Sequence, residues 1–426
     1  MEMKWVVLAI AAAMYAIVIA FPDRKAWASL GAALLTIVIG VISPAHAIFD
    51  LVNWNVLMIY VGSLAIAELF IYSRVPARIA DTIVDRSPNV GLAIVAILMM
   101  TGIISAFVEN VATVLVMAPI ALALSRKMKM DPTYFMVGLA VMANLQGTAT
   151  LVGDPPSMIF ASFANYSFND FFIFDSRASI FFVVQVGMVA GAVFFYAYFA
   201  KHGSGKVEIE REPILSYVPS ALLVIMIIGL AISSFFFSGV SLTAGVLVLA
   251  LGILGLLWYR FVRKESTASA LKMIKGLDWE TILFLIGIFI VIGAIDKVGL
   301  LTAFASLLSG IIGNNVLLGF VVILAVSIVI SGFVDNVPYI IAMLPVAASL
   351  GQQLGLRPEL YMFALLIGSC LGGNLTPFGA SANIVAMGIL KKEGHPMGFP
   401  GWLKIGLPFT VITTTAAAAF LWFVWR

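Results

Sequence analysis

Apolar segments of about 20 residues recur along the whole chain, and they constrain its fold more than any other feature. Examples are "WVVLAIAAAMYAIVIA" near the start and "VITTTAAAAFLWFVW" near the end. A helix of about 20 apolar residues spans the hydrocarbon core of a bilayer. Of the 426 residues, 62% are hydrophobic and 11% are charged, whereas soluble domains carry about 25% charged residues. The sequence therefore predicts an all-α polytopic membrane protein.

The apolar runs and the loop signals between them predict ten full membrane spans. These lie near residues 5–21, 27–43, 54–72, 134–163, 178–200, 217–237, 240–260, 279–295, 360–390 and 406–425. We expect the first to be retained, because it lacks the cleavage site of a secretory signal. Two further stretches, 91–124 and 316–350, are each interrupted by a polar cluster. Each is two spans or one re-entrant hairpin, and we predict hairpins, whose polar tips must be buried in protein or line a cavity.

The distribution of basic residues predicts the orientation in the membrane. Of the 24 Lys and Arg residues, 19 fall in loops on one side, at 22–26, 73–89, 125–132, 200–216, 260–278 and 391–405. Basic loops remain in the cytoplasm. We therefore expect a multi-pass protein of the inner (plasma) membrane with both termini on the extracytoplasmic side. The same loops account for the net charge of +3, so no nucleic-acid partner is predicted.

An internal repeat divides the chain into two units. A shift of 226 residues aligns "SAFVENVATVLVMAPIALAL" with "SGFVDNVPYIIAMLPVAASL", with nine identities in twenty, and the same shift aligns "GTATLVG" with "GNLTPFG". The units are residues 1–205 and 215–426, joined by a charged cytoplasmic linker at 206–214. Five spans per unit, an odd number, predict inverted repeats. Such repeats are typical of secondary transporters with a midplane site.

Two polar interruptions recur in each unit and are the candidate site. The hairpin tips contribute Glu109, Asn110 and Thr113 in the first unit and Asp335 and Asn336 in the second. The interruptions of the following helix contribute Gly147, Thr148, Thr150, Gly153 and Asp154, and then Gly373, Asn374, Thr376, Gly379, Ser381 and Asn383. Glycine lets the backbone leave the helix, and the nearby prolines prevent its simple resumption. Free N–H groups at such a break suit an anionic or hydroxylated substrate, and free carbonyls suit a cation.

Three carboxylates in these interruptions need an explanation, because a carboxylate at the bilayer centre costs about 2.5 to 3.5 kcal/mol on insertion scales. Glu109, Asp154 and Asp335 are candidate proton or cation coupling sites, and the alternative is that they cap the neighbouring half-helices. Cys370 lies close to the second break, where we expect it to pack as a small residue.

No cofactor and no metal site is predicted. The single cysteine excludes an internal disulfide and a thiolate metal cluster within one chain. The three histidines, His46, His202 and His395, fall in predicted loops.

Four stretches carry a resemblance to a known family: "FVENVATVLVMAP", "GTATLVGDPPSMI", "FVDNVPYIIAMLP" and "GGNLTPFGASANIVAMG". At these motifs the chain resembles the ion transporter superfamily, in particular the arsenite permease and P-protein branch with its citrate-transporter-like domain. The resemblance implies an elevator mechanism in a homodimer. Residues 1–75 and 215–296 would form the scaffold, and residues 90–200 and 315–426 the moving transport domain.

The resemblance also implies which residues surround the substrate or coupling ion. They are Asn110, Thr113, Gly147, Thr148, Thr150, Asn336, Asn374, Thr376 and Asn383, and Ser381 joins them from the second break. The dicarboxylate branch of the superfamily has Ser-Asn-Thr at its hairpin tips. This chain has Glu-Asn-Val and Asp-Asn-Val there, which argues against carboxylate transport.

The residue types at the motifs favour a neutral hydroxylated substrate. No arginine or lysine lies near the four motifs in the sequence, so a multivalent carboxylate would depend on N–H dipoles and co-bound cations. Asn and Thr side chains both donate to and accept from hydroxyls. The first hypothesis is arsenite or antimonite efflux, driven by inward proton movement through Glu109, Asp154 or Asp335.

Three other functions are weighed against this hypothesis. A sodium/proton antiporter, or a sodium-coupled dicarboxylate or sulfate transporter of the same superfamily, is the close alternative. An intramembrane aspartyl protease using Asp154 and Asp335 is remote, because Asp154 aligns with Ala380 and not with another carboxylate. The chain lacks a GxxxxGK[ST] motif, although the resemblance allows a separate cytoplasmic ATPase subunit as a partner.

Overall fold

A computed structural model describes residues 3–199, 212–236 and 242–426 of the chain. The helices of the first half are α1 (Met3–Ala20), α2 (Lys25–Val38), α3 (Pro44–His46), α4 (Trp54–Tyr72), α5 (Val75–Arg86), α6 (Val90–Ser105), α7 (Asn110–Lys127), α8 (Thr133–Gly147), α9 (Pro155–Ala164) and α10 (Ile180–Phe199). Those of the second half are α11 (Val218–Phe236), α12 (Thr243–Leu257), α13 (Thr267–Lys275), α14 (Trp279–Lys297), α15 (Leu300–Ile312), α16 (Val316–Ser331), α17 (Asn336–Gln353), α18 (Pro358–Gly372), α19 (Ser381–Lys392) and α20 (Phe399–Trp425). Strands β1 (Ile173–Phe174) and β2 (Arg177–Ala178) pair as a short antiparallel hairpin. The predicted linker, apart from residues 212–214, and His202 lie outside the described residues.

The helices of the two halves begin at matching positions. Trp54 and Trp279, which begin α4 and α14, are 225 residues apart, and Asn110 and Asn336, which begin α7 and α17, are 226 apart. A spacing of 226 residues also separates Pro155, which begins α9, from Ser381, which begins α19. The sequence repeat is therefore also a repeat of helix bounds.

The polytopic membrane fold is confirmed, with corrections to the predicted spans. Eight helices in the described part of the chain are long and apolar enough to cross a membrane, and α7 is one of them. The predicted span 27–43 is wrong in its length, because α2 ends at Val38 and Gly40 then adopts a φ of +78°. The predicted loops 73–89 and 260–278 contain the amphipathic helices α5 and α13. Helix α15 also lies outside every predicted span.

One group of helices is built on two close pairs, each with one helix from either half. Helix α2 packs along α14, and α12 packs along α4. A Cβ atom on Gly62 would lie 2.5 Å from the Val248 carbonyl carbon, and one on Gly287 would lie 2.5 Å from that of Ser29. Only a residue without a side chain allows this approach. Helices α1 and α11 pack beside these pairs, so the group contains α1, α2, α4, α11, α12 and α14.

The second group surrounds two central helices, α8 and α18. Every residue from Phe135 to Gly147 and from Leu360 to Gly372 is buried, as expected for a helix that is apolar on all sides. Helix α8 contacts α6, α7, α10, α19 and α20. Helix α18 contacts α9, α16, α17 and α20. The two groups meet where α4 touches α7 and α9 and where α14 touches α17.

Candidate functional site

The predicted hairpin tips are the turns between α6 and α7 and between α16 and α17, and in both a carboxylate caps the helix that follows. In the first, the Glu109 carboxylate accepts a hydrogen bond from the Ala112 N–H at 2.9 Å and caps α7. In the second, the Asp335 carboxylate accepts one from the Val337 N–H at 3.0 Å and caps α17. A carboxylate at a helix N-terminus satisfies a free N–H group and opposes the positive end of the helix dipole.

The two helix breaks follow α8 and α18. Asp154 caps α9 by accepting from the Ser157 N–H at 3.1 Å and from the Ser157 hydroxyl at 2.7 Å. At the equivalent place in the second half, Ala380 provides no side-chain cap for α19. There the Asn383 amide bridges the break, donating to the carbonyls of Gly373 at 2.9 Å and Thr376 at 2.8 Å.

Two equivalent hydrogen bonds in each half join the start of the tip to the break and to the helix before the break. The Thr150 hydroxyl donates to the Ala106 carbonyl, and the Thr376 hydroxyl donates to the Gly332 carbonyl. The Ser105 hydroxyl donates to the Ala143 carbonyl at 2.9 Å, and Ser331 makes the matching bond to the Ser369 carbonyl. The hydroxyl hydrogens of Thr150 and Thr376 are therefore used within the protein.

A buried asparagine network joins the halves behind the tips. The Asn110 amide donates to the Asn144 side-chain oxygen at 3.1 Å. The Asn144 amide in turn donates to the side-chain oxygens of Asn374 at 2.9 Å and Asn383 at 2.8 Å. Sequence reasoning missed Asn144, although an asparagine inside an apolar run was a usable signal. Its equivalent at the 226-residue shift is Cys370.

A cavity of about 440 Å³ lies between the two tips, the two breaks and the first helix group. Of the predicted site residues, the following line it: Glu109, Asn110, Asp154, Asp335, Asn336, Gly379 and Ser381. The others lie behind its wall: Thr113, Gly147, Thr148, Gly153, Thr150, Gly373, Asn374, Thr376 and Asn383. The structure thus brings the two tips together at one cavity. Some of the predicted residues line that cavity, and the others are buried behind the residues that line it.

The first helix group adds lining residues that sequence reasoning missed, namely Lys25, Tyr60, Asp278 and Glu280. The Lys25 ammonium lies 3.5 Å from the Asp335 carboxylate, and the Tyr60 hydroxyl donates to Asp278 at 3.0 Å. The expectation that no lysine or arginine lies near the motifs is therefore wrong, because the fold places Lys25 beside the second tip.

Carboxylates dominate the charge around the cavity. Those that line it are Asp23, Glu109, Asp154, Asp278, Glu280 and Asp335. Lys25 is the single cationic side chain among the described lining residues. Asp23, Asp278 and Glu280 are exposed at the mouth, whereas Glu109 and Asp154 are buried inside. This arrangement attracts cations and opposes the entry of a free polyanion.

A second cavity, of about 320 Å³, lies on the other side of the contact between α4 and α9. Ile59 and Met158 line it, together with the 165–168 segment and the ends of α11 and α12. Tyr60 and Pro155, close neighbours in the chain, line the first cavity. Both cavities therefore border α4 and the first helix break.

Comparison with known proteins identifies the family. A family model described as citrate transporter, CitMHS, matches residues 14–368. The chain belongs to the CitMHS family. This confirms the resemblance to the ion transporter superfamily, and a family named for transport confirms a transporter rather than an enzyme.

Relatives and solved structures agree with this assignment. The chain is 29% identical to an uncharacterized transporter of Mycobacterium tuberculosis over 99% of this chain and 98% of that protein. It is 25% identical to the P protein of Sus scrofa, over 77% of this chain and 48% of that protein. The YdaH transporter of Alcanivorax borkumensis has a similar fold, with a TM-score of 0.58 at 14% identity over 91% of this chain and 87% of that one. MtrF of Neisseria gonorrhoeae has a TM-score of 0.56 at 14% identity, over 91% and 83% of the respective chains.

Proposed function

We propose that this CitMHS-family protein is a cation-coupled secondary transporter that exports a small neutral hydroxylated solute, with arsenous acid or its antimony analogue as the first candidate. The observation that carries the proposal is the single cavity lined by both hairpin tips and both helix breaks. Polar tips at membrane depth are tolerated where they line a cavity. In secondary transporters such discontinuous helices form the substrate site.

The charges and donors around the cavity support the neutral solute. Six lining carboxylates face one lysine, so a free trianion would meet net repulsion, whereas an uncharged trihydroxide would not. Half-buried Asn336 and exposed Ser381 line the cavity, and their side chains can both donate to and accept from hydroxyl groups.

The coupling cation is assigned to the buried carboxylates. Glu109 and Asp154 cap helices and also line the cavity, so capping and cation binding are compatible roles. Neither makes an ion pair within the described residues. A proton or sodium ion that binds there would remove the cost of a buried charge.

The two cavities support alternating access. We propose that the group around α8 and α18 moves against the group of α2, α4, α12 and α14, so that the tips face first one cavity and then the other. The close glycine contacts between α4 and α12 and between α2 and α14 suit the first helix group to a rigid scaffold. We also propose inverted repeats, a homodimer in the inner membrane, and a cytoplasmic mouth of the first cavity beside Asp23 and Glu280.

A second candidate is cation-coupled citrate transport. Two observations favour it: the family is described as citrate transporters, and Lys25 provides one positive charge in the cavity. In this case the departure of the tip sequences from Ser-Asn-Thr would not exclude a carboxylate.

Flux in proteoliposomes separates the candidates. Purified protein would be assayed with arsenite, citrate with and without Mg²⁺, sulfate and sodium, each with and without a pH gradient. We expect arsenite flux that a pH gradient accelerates and that vanishes in Asn336→Ala liposomes of equal protein content. Citrate flux without arsenite flux would establish the second candidate instead. Sodium-dependent collapse of the pH gradient without any solute flux would indicate an antiporter.

A further inference from the structure

Lys25 and Asp335 form an ion pair between the two helix groups. Lys25 begins α2, which packs along α14 in the first group, and Asp335 caps α17 at the second hairpin tip. Their charged atoms are 3.5 Å apart, and the side chains are 14% and 27% exposed. The Lys25 ammonium also lies over the Phe284 ring, 5.6 Å from its centre.

The pair has no equivalent at the first tip. The Glu109 carboxylate accepts from a backbone N–H, and no ion pair reaches it within the described residues. The second tip is therefore the one whose carboxylate is neutralised by a lysine on the opposite helix group. The other charged groups on this cavity are Asp23, Asp278 and Glu280 at its mouth and Asp154 at the first break, all of them acidic.

We infer that Lys25 is a tethered cation that occupies a second coupling-cation position, at Asp335 and additional to the one assigned to Glu109 and Asp154, while the cavity is open as in this structure. The inference rests on the proposed function, because it requires the two helix groups to move apart. A carboxylate at this depth is costly unless a positive charge compensates it. When the tip leaves Lys25, Asp335 must bind a proton or a sodium ion in its place. When the tip returns, the lysine displaces that ion into the cavity.

Because the lysine displaces the bound cation, the cation is released each time the second tip returns to Lys25. Lys25 competes with free cations for one carboxylate, so its removal strengthens cation binding on the cavity side. The Lys25 ammonium lies 3.5 Å from the Asp335 carboxylate, so any cation that replaces the lysine must overcome the Coulomb attraction between these two opposite charges. Sodium binding at the same carboxylate would be weakened by the same competition.

The test compares four variants with the wild-type protein in proteoliposomes: Lys25→Met, Lys25→Arg, Asp335→Asn and the double variant Lys25→Met/Asp335→Asn. Flux of the solute that the wild type carries is measured against pH and against sodium concentration on the cavity side. The matched control is Arg24→Gln, which removes a positive charge from the same turn at an exposed position outside the cavity lining.

We expect Lys25→Met to shift the half-maximal proton or sodium concentration at least tenfold lower, and Lys25→Arg and Arg24→Gln to stay near the wild type. In the Asp335→Asn background the Lys25 substitution should cause no further shift. An unchanged cation dependence would overturn the inference, as would a loss of solute affinity alone, which would make Lys25 a solute ligand. A uniform change in rate at every cation concentration would also overturn it.

Failure of the proposed function would give a different result, namely no cation-dependent flux in the wild type with any solute. The competition is then still measurable from the sodium and pH dependence of thermal unfolding of the purified proteins. The same tenfold shift with Lys25→Met, absent in the Asp335→Asn background, supports the inference, and its absence contradicts it.

Discussion

Replacing Asn144 by alanine tests whether the buried asparagine network holds the two halves together. The side chain is 2% exposed and makes three hydrogen bonds, to Asn110, Asn374 and Asn383. Side-chain hydrogen bonds in membrane proteins contribute about 0.6 kcal/mol each on average and about 1.7 at most. Loss of the three therefore destabilises the protein by about 2 kcal/mol, and by about 5 kcal/mol at the upper limit.

The measurement is equilibrium unfolding in mixed micelles, with Thr414→Val as the matched control. Thr414 is also 2% exposed, and its hydroxyl has no partner within the described residues, so its removal should change the free energy of unfolding by less than about 0.5 kcal/mol. The double variant with Asn110→Ala should be less destabilised than the sum of the single variants, because both remove one shared bond. The network would be refuted if Asn144→Ala and Thr414→Val changed the free energy of unfolding equally and if the effects of Asn144→Ala and Asn110→Ala were additive.

Three further predictions concern the site and the first helix group. Asn110→Ala and Asn336→Ala should each abolish flux with normal amounts of folded protein in the membrane, and undiminished flux in both would remove the tips from the site. Cys370→Ser should keep most of the arsenite flux, because one thiol per chain cannot supply three thiolates to trivalent arsenic; loss of flux with intact folding would contradict recognition through hydroxyls. Gly62→Ala should lower the free energy of unfolding by about 1 to 3 kcal/mol, because its Cβ atom would press on the α12 backbone. Gly31→Ala, where a Cβ atom meets nothing within 4 Å, is the control, and equal thermal stabilities of the two would be evidence against the close packing of α4 and α12.

The tips and breaks were predictable because they recur at one shift. A local polar interruption of an apolar helix is ambiguous on its own, but Glu109 and Asp335 are equivalent residues, and in the structure both cap the helix that follows them. The two explanations weighed for these carboxylates also turn out to be compatible. Both side chains accept a backbone N–H and both line the cavity.

Lys25 and Asn144 were not predictable from the same reasoning. Lys25 falls in the predicted loop 22–26, and it meets Asp335 across 310 residues of sequence. Such a contact depends on how two helix groups pack, which hydrophobic periodicity does not encode. Asn144 has Cys370 as its equivalent, so the repeat gave no support for it. Helix α5 was missed for a different reason: its charged residues made it resemble a loop.

Alternating access requires the space between the two tips to face each side of the membrane in turn. Ser381→Cys in the Cys370→Ser background places a single thiol at an exposed position on the cavity wall. Oriented proteoliposomes would be treated with a membrane-impermeant maleimide from either side, with and without solute and a pH gradient. We expect labelling from the side of the 22–24 turn at rest, and labelling from the opposite side as well during turnover. Labelling from one side alone under every condition, with flux intact, would contradict it.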